Sequence, residues 1–489
     1  MKLFRKIILV VIVSSVIAPP VWATSGVKES VVKIYTVFNR YDYDEPWKML
    51  RQTRRNGTGC IISGKRILTN AHVVADQKFI QIKKAGEAKK YIAEVEIVAH
   101  ECDLAILRST DDSFFFGVAP VAIGGLPEVR DKVAVYGFSE GGDELCITEG
   151  VVSRIEHRKY THSRAYLLTC QIDAAINPGS SGGPVIKDET LVGVAFQAGS
   201  GENIGYMVPA PVINHFLEDI KDGTYDGIPG FGISWQKMEN PDLRLKFGMD
   251  EHQTGVLLNK VYPHSPARGA VKTGDIILSI DGENVENDGT IEFRPGERTF
   301  SGYLIQRKYI NERVTLEILR QGSLINIEIT LTMPMNFGQL VPDEQYDVAP
   351  TYYILGGLVF EPLTLNFLKT WNKWYLNAPS NLLNYYFRGE PTEDRREIVV
   401  LVKVLADESN VGYHELRNNV ISSVNGREIS AMKDLVNAFE ENEEKYHRIV
   451  DEQGYQIVLE KKKVDENREK ILNKYRISSD RSKDLVLEK

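Results

Sequence analysis

The sequence predicts a mainly β chain of 489 residues, with one large β domain followed by two smaller α+β domains. Three observations support this organisation. Between residues 26 and 212, short apolar runs alternate with polar or glycine-rich turns, which is the pattern of a double β-barrel. A strand–turn–strand pattern at 276–285 returns at 420–429. The chain is also longer than a single hydrophobic core usually supports.

A predicted helix and a linker separate the first domain from the rest. Residues 211–220 have an amphipathic helical pattern, and 222–230 have the glycine and proline content of a linker. We therefore place the domains at 24–222, 223–335 and 336–489. The last unit contains an aromatic insertion at 371–387, expected to form core or a subunit contact, and a charged C-terminal helix expected to face solvent.

Residues 1–23 have the pattern of a secretory signal peptide. Basic residues precede an apolar run at 7–17, and the small side chains of Val21 and Ala23 follow. The run is shorter than the 20 or so residues that a membrane-spanning helix needs, although an uncleaved anchor is one alternative. An organelle transit peptide is a second and less favoured alternative, because it would be richer in Arg and Ser. We expect a mature chain that begins at Thr24 and acts outside the cytoplasm, in the periplasm if the source is a bacterium.

Composition argues against several classes of partner and cofactor. A net charge of −8 and the lack of a basic stripe with interspersed aromatic residues disfavour nucleic acid binding. Four cysteines are too few for a disulfide scaffold, and the sequence does not decide whether any of them pair: Cys60, Cys102, Cys146 and Cys170. His100-Glu101 and His414-Glu415 lack the second histidine of a zinc-protease helix, so no metal site is predicted.

Three short phrases carry candidate chemistry. Residues 176–184 read Ile-Asn-Pro-Gly-Ser-Ser-Gly-Gly-Pro, and Ser181 lies directly before Gly-Gly-Pro. Upstream, His72 follows the apolar pair at 67–68, and Asp103 precedes the apolar run at 104–107. Serine needs a base, and the base needs an orienting carboxylate. Each phrase alone is compatible with an ordinary turn or a structural histidine. Their occurrence together, in the order His, Asp, Ser of chymotrypsin-like enzymes, favours catalysis.

These phrases resemble those of the HtrA/Deg family of trypsin-like serine peptidases. Its members carry Thr-Asn-x-His-Val, Asp-Leu-Ala and Gly-Asn-Ser-Gly-Gly-Pro. Further similarity lies at 171–178, 202–209 and 352–360, the last of which is similar to the plant-type Deg subgroup. The resemblance therefore covers nearly everything after the leader. One departure is Ser180, which stands where the family usually has Asn.

The resemblance implies a chymotrypsin-like double β-barrel with His72 as the base, Asp103 as its orienting carboxylate and Ser181 as the nucleophile. The backbone N–H groups of Gly179 and Ser181 are the expected oxyanion hole. Because these donors belong to the main chain, we expect the change at Ser180 to be tolerated. The chemistry requires no cofactor.

A substrate pocket follows from the same resemblance. In trypsin-like folds the floor of the primary pocket lies six positions before the nucleophile, which is Ala175 here, followed by Ile176. Neither side chain can neutralise a buried Lys or Arg, so we expect cleavage after small or medium aliphatic residues. Asp173 is the one nearby carboxylate that could change this expectation. We expect the other wall to come from Ala195, Phe196 and Gln197, with Phe196 limiting the depth.

The downstream units resemble PDZ domains. Four residues occupy the place of a carboxylate-binding loop in the first unit: Gly230, Phe231, Gly232 and Ile233. Such a loop captures a peptide C-terminus while the peptide adds to a sheet edge. The alternative is a small β domain in which Gly-Phe-Gly is only a turn. Residues 357–360 resemble a second such loop.

The sequence thus predicts an ATP-independent serine endopeptidase of the HtrA/Deg type that degrades unfolded or damaged proteins. The resemblance implies a homo-oligomer, which is either a trimer or a multiple of trimers. Peptide C-termini are possible ligands of the first PDZ domain. Two alternatives are a proteolytically silent chaperone or scaffold, and a regulatory protease with one specific substrate.

Overall fold

The computed structural model describes residues 26–139, 142–198 and 204–486. The predicted signal peptide therefore lies outside the described residues. Within them, no helix is long and apolar enough to span a membrane. The predicted mainly β architecture is confirmed: within the described residues, two closed barrels precede a six-stranded sheet, a two-stranded sheet and a seven-stranded sheet.

The first barrel has six antiparallel strands in the order β1-β2-β3-β6-β5-β4. Its elements are β1 (Val31–Phe38), β2 (Thr53–Ile62), β3 (Arg66–Thr69), α1 (Ala71–Val74), β4 (Gln77–Lys84), β5 (Tyr91–Ala99) and β6 (Leu104–Ser109). The buried apolar residues that these strands contribute, such as Ile34, Ile67 and Leu107, fill the barrel. Closure leaves no unpaired sheet edge in this unit.

The second barrel also has six strands, in the order β10-β11-β12-β9-β8-β7. Its elements are β7 (Lys132–Gly137), β8 (Cys146–Lys159), β9 (Tyr166–Ile172), β10 (Pro184–Lys187), β11 (Thr190–Ala198), β12 (Gly205–Pro209) and the closing helix α2 (Ala210–Asp219). The predicted helix at 211–220 is thus present. One apolar cluster, which includes Leu68, Ile106, Val185 and Val194, joins the two barrels.

The first α+β domain is built on a sheet in the order β13-β14-β15-β19-β20, with β16 paired to β15 and a separate β17–β18 hairpin. Its elements are β13 (Ile233–Lys237), α3 (Pro241–Lys246), β14 (Val256–Val261), β15 (Ile276–Ile280), β16 (Glu283–Asn284), β17 (Thr290–Arg294), β18 (Glu297–Phe300), α4 (Tyr303–Gln306), β19 (Arg313–Arg320) and β20 (Ser323–Thr330).

The second α+β domain has the sheet order β21-β22-β23-β24-β26-β27, with β25 paired to β24. Its elements are β21 (Tyr353–Leu355), β22 (Leu358–Pro362), α5 (Leu365–Leu368), α6 (Trp374–Asn377), α7 (Ser380–Arg388), β23 (Val399–Val404), β24 (Asn419–Val424), β25 (Arg427–Glu428), α8 (Met432–Glu440), β26 (Tyr446–Asp451), β27 (Gln456–Glu460) and α9 (Lys461–Tyr475).

The aromatic insertion forms the short helices α6 and α7. Leu382 is buried in an apolar cluster of this domain, whereas Tyr375, Leu376 and Phe387 are exposed. The insertion is therefore partly core. Its predicted role as a subunit contact stays a prediction.

The two segments that connect the domains run together. The backbone N–H of Gly230 donates to Met333 O at 2.9 Å, and Met335 N donates to Ile228 O at 2.8 Å. The first α+β domain also contacts the segment that leads into the second barrel, where Arg294 donates to the carbonyl of Pro127 at 2.9 Å. This contact joins the first α+β domain to the protease domain.

All four cysteines are free thiols. Three of them, Cys60, Cys102 and Cys170, are buried among apolar side chains, and Cys146 is exposed. Burial raises the pKa of the three buried thiols well above its ordinary value, so they remain protonated.

Candidate active site

His72 and Asp103 meet because β3 and β6 pair in antiparallel register. Thr69 at the end of β3 lies opposite Ala105 near the start of β6, so residues just after Thr69 and just before Ala105 are neighbours. His72 Nδ1 lies 2.7 Å from Asp103 Oδ2. The backbone N–H of His72 donates to Asp103 Oδ1 at 2.9 Å. Two hydrogen bonds thus join His72 and Asp103, the residues that the sequence predicts for the base and its orienting carboxylate.

Asp103 is held as a buried carboxylate. It is 1% exposed, and Asn70 Nδ2 donates to its backbone carbonyl at 2.8 Å. Burial alone would raise the pKa of Asp103, but the charges of His72 and His162 and the hydrogen bonds from His72 hold it below its ordinary value. A carboxylate only accepts hydrogen bonds, so His72 Nδ1 carries the proton and Nε2 is the basic nitrogen.

Ser181 lies in the loop between β9 and β10, where the two barrels meet. The backbone N–H of Thr58 on β2 donates to Ser181 O at 2.8 Å. Gly182 follows with φ +84°, and a Cβ there would lie 2.0 Å from Thr58 O. A Cβ on Gly183 would lie 2.1 Å from Tyr136 O. Glycine is therefore required at both positions, because the loop passes against the backbone of both barrels.

The two adjacent serines, Ser180 and Ser181, differ in their exposure to solvent. Ser180 is 4% exposed, and its Oγ lies 3.2 Å from Ser139 Oγ. Ser181 is only half-buried. A nucleophile must be reachable by substrate, and this difference favours Ser181.

The backbone around Ser181 leaves two N–H groups available. Ser180 N donates to Asn177 O and Gly183 N donates to Ser180 O, both at 2.9 Å. Among the described residues, the N–H groups of Gly179 and Ser181 donate no hydrogen bond. Gly179 has φ +93°, a conformation that L residues with a side chain rarely adopt. These two groups are the donors expected for the oxyanion.

The predicted pocket residues have different surroundings. Ala175 is half-buried. Ile176 is buried against Gly205, where a Cβ would lie 2.7 Å from Ile176 Cδ1. Asp173 is exposed, and its Oδ1 accepts a hydrogen bond from Val151 N at 2.5 Å. That bond directs the carboxylate to the β8 backbone.

The three β11 residues predicted to form the other wall of the substrate pocket each contact a neighbouring part of the protease domain. Ala195 is fully buried, with its carbonyl accepting from Gly182 N at 2.8 Å. The Phe196 ring is buried, with its centroid 4.6 Å from that of Tyr160. Gln197 Oε1 accepts from the hydroxyl of Thr161 at 2.7 Å.

The predicted carboxylate loop of the first α+β domain is tightly packed. Gly230 N donates to Met333 O, and a Cβ on Gly230 would lie 2.6 Å from Met335 Cα. Gly232 has φ +69°, and a Cβ there would lie 2.2 Å from Ser265 Cβ. The two remaining loop residues, Phe231 and Ile233, pack against the domain core.

Sequence reasoning missed a histidine cluster beside the candidate pair. His162 is buried with its ring centroid 6.0 Å from that of His72, and its Nε2 lies 2.9 Å from His100 Nδ1. The Tyr346 ring stacks on His162 with a centroid distance of 4.0 Å. In the sequence, His100 belongs only to an incomplete metal motif, and no local signal points to His162 or Tyr346.

Comparison with known proteins assigns each unit. Residues 57–194 match the family model of the trypsin-like peptidase domain, and residues 229–331 and 341–484 match models of the PDZ domain. The chain is 39% identical over 459 residues to putative protease Do-like 3, mitochondrial, of Arabidopsis thaliana, covering 93% of this chain and 80% of the relative. It is 40% identical over 413 residues to protease Do-like 4, mitochondrial, of the same plant, covering 84% and 76%.

A solved structure, the HtrA-type protease AlgW with decapeptide, aligns with a TM-score of 0.49 and 23% identity over 63% of this chain and 96% of its own. The sequence matches to the plant Do-like proteases extend over nearly the whole chain and include all three units. The predicted resemblance to the plant-type Deg subgroup is confirmed. The chain belongs to the Do-like (HtrA/Deg) family of serine endopeptidases, with a trypsin-like peptidase domain followed by two PDZ domains.

Proposed function

We propose that this endopeptidase degrades unfolded or damaged polypeptides without ATP, using His72, Asp103 and Ser181 as its triad. The observation that carries the proposal is the buried His72–Asp103 pair, with Nδ1 and Oδ2 2.7 Å apart. This pair fixes the imidazole tautomer, so that Nε2 is free to take the Ser181 proton. The family supplies the reaction class, and the geometry of the pair supports His72 and Asp103 as the base and its orienting carboxylate.

In the proposed reaction, Ser181 Oγ attacks the scissile carbonyl as His72 Nε2 removes its proton. The resulting oxyanion accepts hydrogen bonds from the N–H groups of Gly179 and Ser181. His72 then gives the proton to the leaving amine, the carbon–nitrogen bond breaks, and an acyl-enzyme forms on Ser181. Water hydrolyses the acyl-enzyme by the same route. Asp103 stays ionised throughout and stabilises the imidazolium.

Two readouts test this function. A fluorophosphonate probe should label Ser181 in the full chain, because only an assembled triad and oxyanion hole activate the serine. Denatured casein should be cleaved with no nucleotide present. Absence of labelling would favour the silent chaperone or scaffold. If cells that lack the protein accumulate one substrate instead of many, the regulatory protease would be favoured.

Assembly and ligands of the PDZ domains belong to the same proposal. We infer a homo-oligomer, supported by the exposed aromatic side chains of the insertion, such as Tyr375 at 55%. Native mass of the full chain and of a chain truncated after residue 341 tests this, since the truncated chain should form a smaller assembly. Capture of peptide C-termini at residues 230–233 stays a prediction, tested by titration with peptides that have free or amidated C-termini.

Location is a further part of the proposal. The relatives cited above carry mitochondrial names. The secretory leader at 1–23 and the periplasmic destination remain predictions from the sequence. N-terminal sequencing of the purified protein tests them, and a first residue of Thr24 is expected.

A further inference from the structure

The segment that enters the second PDZ domain contacts two loops of the protease domain next to the His72–Asp103 pair. Asp347 Oδ1 accepts a hydrogen bond from Asp76 N at 2.7 Å, and Asp347 N donates to Asp76 Oδ1 at 2.9 Å. Asp347 Oδ2 lies 2.8 Å from His100 Nε2. One carboxylate thus bridges two loops of the first barrel.

Each bridged loop carries one member of the candidate pair. Asp76 lies two residues after the end of α1, the helix that contains His72. His100 begins the turn that ends at Asp103, and His100 O accepts from Asp103 N at 3.2 Å. Asp347 therefore joins the loop that follows His72 to the turn that precedes Asp103, over a sequence separation of 271 and 247 residues respectively.

Both loops have conformations that depend on their surroundings. Asp76 has φ +58° and Asp103 has φ +55°. Left-handed backbone is unfavourable at a residue with a side chain and persists where neighbouring contacts hold it. The bonds from Asp347 are such contacts, since they reach Asp76 directly and Asp103 through a single turn.

A second series of contacts connects the same segment to the His72 ring. A carboxylate only accepts, so His100 Nε2 donates to Asp347, and His100 Nδ1 is bonded to His162 Nε2. Tyr346 stacks on His162, and its hydroxyl donates to the His162 carbonyl at 3.2 Å. His162 in turn lies beside the His72 ring.

We propose that Asp347 is a positioning residue for catalysis: by joining Asp76 to His100, it fixes the separation of His72 and Asp103. Asp347 lies within the region that matches the second PDZ domain. The inference rests on the proposed triad and adds to it a residue from outside the protease domain.

The segment that leads to the first PDZ domain also contacts the turn at 100–103. Glu101 Oε2 accepts from Ile228 N at 2.8 Å and from the Tyr225 hydroxyl at 3.1 Å, both in the segment that leads to the first PDZ domain. The turn at 100–103 is therefore held by both interdomain segments.

The test uses the full chain and a short chromogenic peptide ester, which does not need the PDZ domains for binding. Asp347→Ala should lower kcat roughly tenfold to a hundredfold with KM within about twofold, because misplacement of a catalytic group affects the transition state more than binding. Asp347→Asn keeps the side-chain shape and an oxygen for Asp76 N, so it should recover part of that loss. The rate of fluorophosphonate labelling should fall in parallel with kcat.

Asp44→Asn is the matched control. Asp44 accepts from Lys403 at 2.5 Å, so this variant weakens another contact between the protease domain and the second PDZ domain, one in which neither Asp76 nor His100 takes part. Its kcat should stay within about twofold of the unmodified protein. Equal losses in Asp347→Ala and Asp44→Asn, or an unchanged kcat in Asp347→Ala, would overturn the proposal. Ser181→Ala tests the proposed triad separately from the positioning role. If Ser181→Ala remains active, the proposed triad is wrong. If it is inactive while the kcat of Asp347→Ala is unchanged, only the positioning role is wrong.

Discussion

The hydroxyl of Thr58 donates a hydrogen bond to the carbonyl of Gly179, with the two oxygens 2.8 Å apart. This bond crosses from the first barrel to the serine loop of the second. The same hydroxyl accepts from Phe138 N at 2.9 Å, and Thr58 N donates to Ser181 O at 2.8 Å. One buried residue therefore holds the loop at both Gly179 and Ser181, and its backbone carbonyl is itself held by Thr69 Oγ1 at 2.6 Å.

Thr58→Val should weaken both stability and activity. The variant keeps the shape of the side chain but leaves Gly179 O and Phe138 N buried without this partner, at a cost of about 2–4 kcal/mol. Because Gly179 supplies an expected oxyanion donor, kcat should fall by roughly tenfold or more. Urea unfolding and peptide hydrolysis of the purified variant provide the two measurements.

Thr36→Val is the control for this variant. Thr36 is a buried threonine of the same barrel, and its Oγ1 has no hydrogen-bond partner among the described residues. Replacing an unpaired buried hydroxyl with a methyl group should be neutral or slightly stabilising. Equal losses in the two variants would show that the Thr58 bonds do not position the loop.

Ser181→Ala should abolish peptide hydrolysis while changing the free energy of unfolding by less than about 1 kcal/mol. The physical reason is that only the nucleophile is removed, and its side chain is half-buried with no packing role evident. Ser180→Ala, which loses the contact with Ser139, should retain turnover. Retained activity in Ser181→Ala together with an inactive Ser180→Ala would reverse the assignment.

Asp103→Asn should lower kcat by about 10⁴-fold with little change in KM. The amide can donate to His72 Nδ1, which favours the tautomer with the proton on Nε2 and removes the basic nitrogen from the serine. His72 N would still find an acceptor in the amide oxygen, so the fold should be retained. Activity within tenfold of the unmodified enzyme would exclude Asp103 from the triad.

The sequence predicts most directly those parts of this enzyme that chemistry restricts to particular residues. His72, Asp103 and Ser181 stand in short phrases, and the strand pairing of β3 with β6 explains why the first two meet. The alternation of apolar runs with turns gave the barrels. Asp347 had no such signal, because its partners lie 247 and 271 residues away in the sequence. The orientation of Phe196 depended likewise on Tyr160, a distant packing partner.

Stability should fall with rising pH because of Glu101. Burial raises the pKa of Glu101 to about 7 from its ordinary 4.5, so the folded chain binds this proton more tightly than the unfolded chain. The free energy of unfolding then declines between about pH 4.5 and pH 7 and levels off above it, by about 3 kcal/mol at most. One carboxylate oxygen, Oε1, is buried without a hydrogen-bond partner among the described residues, in keeping with a protonated group.

Glu101→Gln should remove this dependence. The amide can still accept from Ile228 N without carrying a charge, so the melting temperature of the variant should exceed that of the unmodified protein by more at pH 8 than at pH 5. Glu94→Gln, at an exposed site on β5, is the control and should show no such divergence. Parallel pH curves for all three proteins would contradict the assignment of a protonated Glu101.

Cleavage should follow small or medium aliphatic residues such as Val, Ala or Ile. Ala175 at the expected pocket floor and the buried Ile176 beside it offer no charge. A Lys or Arg side chain would remain unpaired there, at a cost of several kcal/mol, which is enough to suppress turnover by orders of magnitude. Asp173 is the nearby carboxylate that could alter this, and its bond to Val151 N holds it on the strand backbone.

Sequencing of peptides released from denatured casein measures this preference. If the uncharged floor decides it, Asp173→Asn should leave the distribution of cleavage sites unchanged, because that carboxylate does not face the bound residue. Ala175→Asp should shift cleavage toward Lys and Arg, since a carboxylate at the floor can pair with the buried cation. A majority of cuts after Lys or Arg in the unmodified enzyme, lost in Asp173→Asn, would show that Asp173 leaves Val151 when substrate binds and enters the pocket.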